Sequence, residues 1–74
     1  MITSGQIRAG RAFARISAVE LAELARLGRV TVVKAESGEG VPPITKANLH
    51  AIKTALEEAG VIFQEDGGVN FVPK

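Results

Sequence analysis

The chain has no cysteine, tryptophan or tyrosine, only three phenylalanines and three prolines, and no long apolar run. Without cysteine there is no disulfide framework and no thiolate metal site, which is the usage expected of a protein in a reducing cytosol. No apolar stretch approaches the roughly 20 residues that a helix needs to span a bilayer. The first residues lack a charged leader followed by an apolar run, so no secretory signal is expected and a cytoplasmic location is. Excess charge of one sign is also lacking. Nine Lys and Arg against eight Asp and Glu leave a net charge of +1, which neither demands nor excludes a polyanionic partner. No internal repeat, linker or low-complexity tract is present.

What is present is 74 residues, enough for one small domain spanning 1–74. Domains near this size bury only about 60% of their unfolded surface, so stability is marginal and dimerisation often helps. The charges are unevenly placed. Arg8, Arg11, Arg15, Arg26, Arg29 and Lys34 lie in the first half, whereas Glu57, Glu58, Glu65 and Asp66 lie in the second. That asymmetry suggests an N-terminal half able to face an anion.

The pattern predicts four helices, at about 4–15, 18–25, 29–37 and 46–59, and a hairpin at about 61–72. Thr3 with Gln6, and Ser17 with Glu20, are capping-box pairs, each opening a helix. Ile7, Ala14 and Phe13 are read as the inward side of the first helix, and Ile16 as a buried connecting residue. Leu21, Ala22 and Ala25 make the apolar stripe of the second helix. Gly28 breaks the pattern, and Val32 and Ala35 resume it at helical spacing. The glycines and prolines of Gly38–Pro43 mark a loop. Thr45 is the expected cap of the fourth helix, with Leu49, Ile52 and Leu56 inward, Ala59 extending the stripe, and Gly60 ending it in a left-handed conformation. Val61-Ile62-Phe63 and Val69-Asn70-Phe71-Val72 flank a turn containing Asp66-Gly67, a strong hairpin signal. A lone hairpin is marginal in water. This one is therefore expected to pack on the helices, pair with a second chain, or both.

Ser17–Gly38, SAVELAELARLGRVTVVKAESG, has the layout of a helix-turn-helix, a device that pushes side chains of its second helix into a DNA major groove. Together with IRAGRAFARIS (Ile7–Ser17) and NLHAIKTALEEAGVIF (Asn48–Phe63), it resembles the lambda-repressor-like DNA-binding domains of the Xre/Cro type. Leu21-Ala22, Val32 and Glu36 match the family's framework positions. The resemblance implies a mainly α, compact four-helix fold, here with a C-terminal β-hairpin. It also implies a structural salt bridge between Arg11 and Glu36, a pairing that fixes how helices dock more than it adds net stability.

The chain departs from the family at several positions. Ala18 stands where the family usually has a glutamine that braces the DNA backbone, and Arg26 stands where the turn usually has a glycine. Gly28 replaces the usual serine or threonine cap, at a cost of a few tenths of a kcal/mol. Leu24, Val30 and Val33 are apolar where the family tends to be polar. Val30 and Val33 lie three apart, hence on one helix face. Valine can touch a thymine methyl but offers no hydrogen bond.

The resemblance implies a DNA-binding set of Gly28, Arg29, Val30, Thr31, Val33, Lys34, Arg26 and Lys46. For Arg29, bidentate contact to guanine and a phosphate contact are both open, and the alternative for each cation is a solvated charge. Thr31 is set to donate to a phosphate or to cap its helix locally. Arg26 is placed to reach the backbone from the turn, and Thr45 and Lys46 are weaker phosphate candidates. His50, the one histidine, reads as a surface or half-buried helix residue, without neighbours at metal-ligand spacing. No nucleophile has a base and an orienting group, so no catalytic residue, metal or cofactor is expected. Gly38–Gly40 follow a helix and so form no phosphate loop. Glu57-Glu58 read as a solvated face, and Phe63 and Phe71 as core or dimer contacts. The expected function is a small DNA-binding transcriptional regulator, such as a repressor, acting as a homodimer on double-stranded DNA. The alternative is a protein-interaction module or antiactivator on the same scaffold, with Leu24, Val30 and Val33 as its patch.

Overall fold

Side-chain caps begin three of the four helices. In a computed structural model covering residues 1–74, Thr3 Oγ1 accepts from the Gln6 amide (3.2 Å) and Gln6 Oε1 accepts from the Thr3 amide (2.9 Å). This reciprocal pair starts α1 (Ser4–Ala14). Ser17 and Glu20 repeat it at the start of α2 (Ala18–Ala25), with distances of 3.0 and 2.9 Å. Thr45 accepts from the Asn48 amide (3.1 Å) to begin α4 (Lys46–Glu58). Only α3 (Arg29–Glu36) lacks such help, because its cap is Gly28. A two-stranded antiparallel hairpin, β1 (Val61–Phe63) and β2 (Val69–Phe71), closes the chain.

Three helices end one residue earlier than the sequence pattern predicts. Arg15 turns left-handed after α1 (φ 58°, ψ 41°), Ser37 leaves α3 in an extended conformation, and Ala59 caps α4 before Gly60 turns to φ +111°. Arg26 ends α2 in the same left-handed conformation as Arg15. Each arginine there costs about 1 kcal/mol relative to glycine.

The core joins Ile2 and Ile7 from the N-terminal segment, Leu21 and Ala22 from α2, and Val32 and Ala35 from α3. It is completed by Leu49, Ile52, Ala55 and Leu56 from α4, and Val61 from β1. α4 is the common support, packing against the other three helices and β1. Two inward expectations need correction. Phe13 is 49% exposed and lies outside the core; its ring stacks on Phe71 of β2, centroids 6.1 Å apart. Ile16 is half-buried rather than buried, because it sits in the short link between the left-handed cap of α1 and the cap of α2.

The strands pair Val61 with Phe71, Ile62 with Asn70, and Phe63 with Val69. The bonds from Gln64 N–H to Gly68 O (2.9 Å) and from Gly67 N–H to Gln64 O (3.1 Å), with Gly67 at φ +92°, define a three-residue loop with glycine at its left-handed position. Val61, Phe63, Val69 and Phe71 face the helices, while Ile62 and Asn70 face out. Gln6 ties this turn to α1: its Nε2 donates to Gln64 O (3.0 Å) and Gly68 O (3.2 Å). One side chain therefore caps a helix and holds a hairpin about 60 residues away in sequence.

Ser4 is fully buried at the start of α1, and its hydroxyl has no hydrogen-bond partner. A buried, unsatisfied hydroxyl is a net cost. Ser4→Ala is therefore expected to stabilise the domain by about 1 kcal/mol, raising its melting temperature by several degrees. A lower melting temperature would show that the hydroxyl has a partner.

Candidate nucleic-acid interface

Helix α3 is intrinsically the weakest of the four. It is eight residues long, and four in succession (Val30, Thr31, Val32, Val33) are β-branched, which lowers helix propensity. It holds its shape because neighbours fix it. Val32 and Ala35 are fully buried against the core. At its C-terminal end, Arg11 Nε and Nη2 donate to the two Glu36 carboxylate oxygens at 2.8 and 2.9 Å, while Nη1 reaches Ile16 O at 3.2 Å. Arg8, three residues before Arg11 and so on the same side of α1, donates from Nη1 to Glu36 O and to Gly38 O (3.0 Å). Arg8 thus supplies donors to backbone carbonyls at and just beyond the end of α3. From sequence Arg8 counts only among the cations of the N-terminal half; its spacing from Arg11 is the signal for this bracing position.

The Glu36 side chain is only 12% exposed, so the pair is partly buried. The hydrogen bonding of its guanidinium to Glu36 raises the Arg11 pKa above its already high ordinary value; burial opposes this and the carboxylate charge adds to it. Because the folded value is the higher one, the pair's contribution is complete throughout the neutral range. On the Arg11 side it fades as strong alkali removes the guanidinium proton. Arg11→Ala would leave the carboxylate without its two donors, and a loss of about 2 kcal/mol is expected. A chemical denaturation midpoint unchanged from the parent would contradict this.

With Val32 and Ala35 inward, the 3.6-residue period sets Val30, Val33 and Lys34 on the opposite side of α3. Val30 is 68% exposed and Val33 50%. Arg29 is exposed at the helix start, Arg26 is exposed in the preceding turn, and Thr31 is half-buried. Gly28 is exposed, with open space where a side chain would stand. Leu24, at the end of α2, is 58% exposed. The chain has two ion pairs, Arg11–Glu36 and an exposed Lys53–Glu57 contact at 3.9 Å. Arg15, Arg26, Arg29, Lys34 and Lys46 therefore have no acidic partner. The segment from Arg26 to Lys34 thus brings together three free cations and two exposed valines on a helix braced from behind.

Lys46 is exposed at the start of α4. It lines an open groove of about 720 Å³ bordered also by Ile2, Gln6, Leu49, His50 and Phe63, and no α3 residue lines it. His50 is exposed on α4, 3.5 Å from Thr54 Oγ1. No group of three His, Asp or Glu side chains is placed to hold a metal ion, and no helix is long and apolar enough to cross a membrane. No protein-family model matches this chain, and no curated protein matches it in sequence.

Proposed function

We propose that the chain is a small DNA-binding transcriptional regulator of the lambda-repressor-like kind. In this reading α2, the three-residue link Arg26–Gly28 and α3 act as a helix-turn-helix, and α3 lies in the major groove. The observation that carries the reading is the outward side of α3. A helix with little stability of its own is clamped by Arg8, Arg11 and the core, yet its far side is left open beside three cations without acidic partners. Arg26 adds to this by presenting a free guanidinium in the turn.

The reading includes a homodimer on a two-fold site, with half-sites about one helical turn apart. The outer side of the hairpin, with Ile62 46% and Val72 57% exposed, is the proposed seam. Val69 and Phe71 pack on the core, so deleting β2 would damage the fold itself. Ile62→Asp is the cleaner change: it should yield a monomer by light scattering, and an unchanged mass would reject the seam.

The test of function is a titration of random and upstream duplex DNA followed by fluorescence anisotropy across a salt series. Binding should weaken steadily with salt as counterion release becomes less favourable. Arg29→Ala should lower affinity by about tenfold or more. No binding at about 50 mM salt with protein in large excess would reject the proposal. The exposure of Leu24, Val30 and Val33 favours a second reading, a protein-interaction module. Under it, Val30→Asp with Val33→Asp abolishes partner capture, while Arg29→Ala leaves it intact.

A further inference from the structure

The outward side of α3 is poor in groups that can read a base by hydrogen bonding. Its centre is Val30, with Val33 one turn along, and neither has a donor or an acceptor. What they offer is a ridge of methyl groups, held stiffly because a valine in a helix has one strongly preferred rotamer. Cations flank the ridge: Lys34 on the same side, Arg29 at the helix start and Arg26 in the turn, all without acidic partners. An apolar strip bordered by free positive charge complements a polyanion that itself displays apolar groups. In the major groove, the apolar group that distinguishes one base from the others is the 5-methyl of thymine.

Resting on the DNA-binding reading above, we infer that α3 selects its half-site through thymine methyls, with Val30 and Val33 each packing on one. Three residues advance a helix by about 4.5 Å, close to the roughly 3.4 Å between successive base pairs. That spacing suits methyls on neighbouring base pairs. Lys34 and Arg29 reach phosphates or guanine edges to either side, fixing the register in which the valines meet the methyls.

Deoxyuridine tests this directly, because it differs from thymidine only in the missing methyl. A random 30-bp duplex pool is selected on the full chain, and the enriched duplex is remade with deoxyuridine at each thymidine in turn. Two neighbouring positions in each half-site should each lose affinity about three- to fivefold, the scale of one buried methyl, with little change elsewhere. In Val30→Ala the penalty should vanish at one of the two positions and persist at the other, and Val33→Ala should show the converse. Both residues are exposed, so an unchanged melting temperature verifies that the variants fold. An enriched site that tolerates uracil throughout, or penalties unaffected by either alanine, would overturn the inference and leave DNA binding standing. So would salt-dependent binding with no sequence enrichment. Failure of every duplex in the pool to bind would overturn the inference together with the reading beneath it.

Discussion

Gly60→Ala is expected to unfold most of the population at room temperature. Gly60 sits at φ +111°, where a side chain is strained whatever the space, and here there is no space. A Cβ built on it would overlap the Val72 carbonyl oxygen and stand 3.0 Å from the carbon of that carbonyl. The obstacle is backbone and cannot easily retreat, since the Val72 amide donates to Gly60 O at 2.8 Å, the bond that closes the base of the hairpin. Strain at such a φ costs roughly 1–3 kcal/mol by itself. With the collision, the total should reach about 4 kcal/mol or more, comparable with the whole stability that a core of this size supplies. Gly28→Ala is the control, because Gly28 has an ordinary φ of −71° and nothing within 4 Å of the added carbon. Thermal melting followed by circular dichroism should show a collapse for the first and a small shift for the second. A Gly60→Ala melting temperature within about 5 °C of the parent would contradict the closure described here.

Gln6→Glu is the second large effect, and a sequence reading alone would rank it as harmless. A glutamate serves as well as a glutamine in a capping box. In this fold, however, the Gln6 amide nitrogen donates to two backbone carbonyls of the hairpin turn, and the residue is only 5% exposed. A carboxylate has no proton to donate. The variant would set a buried negative charge against two carbonyl oxygens and lose both bonds, a penalty of about 3 kcal/mol. Protonation restores a donor, so burial favours the neutral acid and the folded state of the variant binds the proton more tightly than the unfolded one. The variant should therefore regain stability as the pH falls through the carboxylate range. Urea midpoints for parent and variant at neutral and acidic pH measure this. Equal midpoints at neutral pH would remove Gln6 from its bridging role.

These two residues also mark what could be read from sequence. Thr3 with Gln6, Ser17 with Glu20, and Gly60 after the fourth helix are visible because caps act over three or four residues. Each carries a local chemical signature. The inward stripes Leu21–Ala22, Val32–Ala35 and Leu49–Ile52–Leu56 are visible because burial follows the helical period. The second bond of Gln6 is not visible, since its partners lie about 60 residues away and are backbone atoms with no side-chain identity. Arg8 is hidden for the same reason: its acceptors are the carbonyls of Glu36 and Gly38. Phe13 misleads because an aromatic residue in an amphipathic helix ordinarily turns inward. Here Phe71 of β2 gives it an aromatic partner at the edge of the core. Lys46 stands at the start of α4, where its sequence position puts it, beside a groove that no α3 residue lines.

The candidate site is an inversion of the usual relation between propensity and use. A run of β-branched residues makes α3 a poor helix alone, and its glycine cap adds nothing from a side chain. Arg8 and Arg11 compensate from α1, holding the far end of α3 through backbone and carboxylate groups. The outward residues are thereby free of structural duty. Changes at Val30, Val33, Lys34 and Arg29 should alter what the helix touches while leaving its position intact.

Backbone amide NMR during titration with a duplex selected from a random pool tests where the surface lies. The expected result is that amide shifts concentrate in Arg26–Lys34, with residues of the α4 groove around His50 and Lys53 little changed. Shifts confined to that groove or to the hairpin, with α3 silent, would contradict the assignment of α3 as the DNA-facing element.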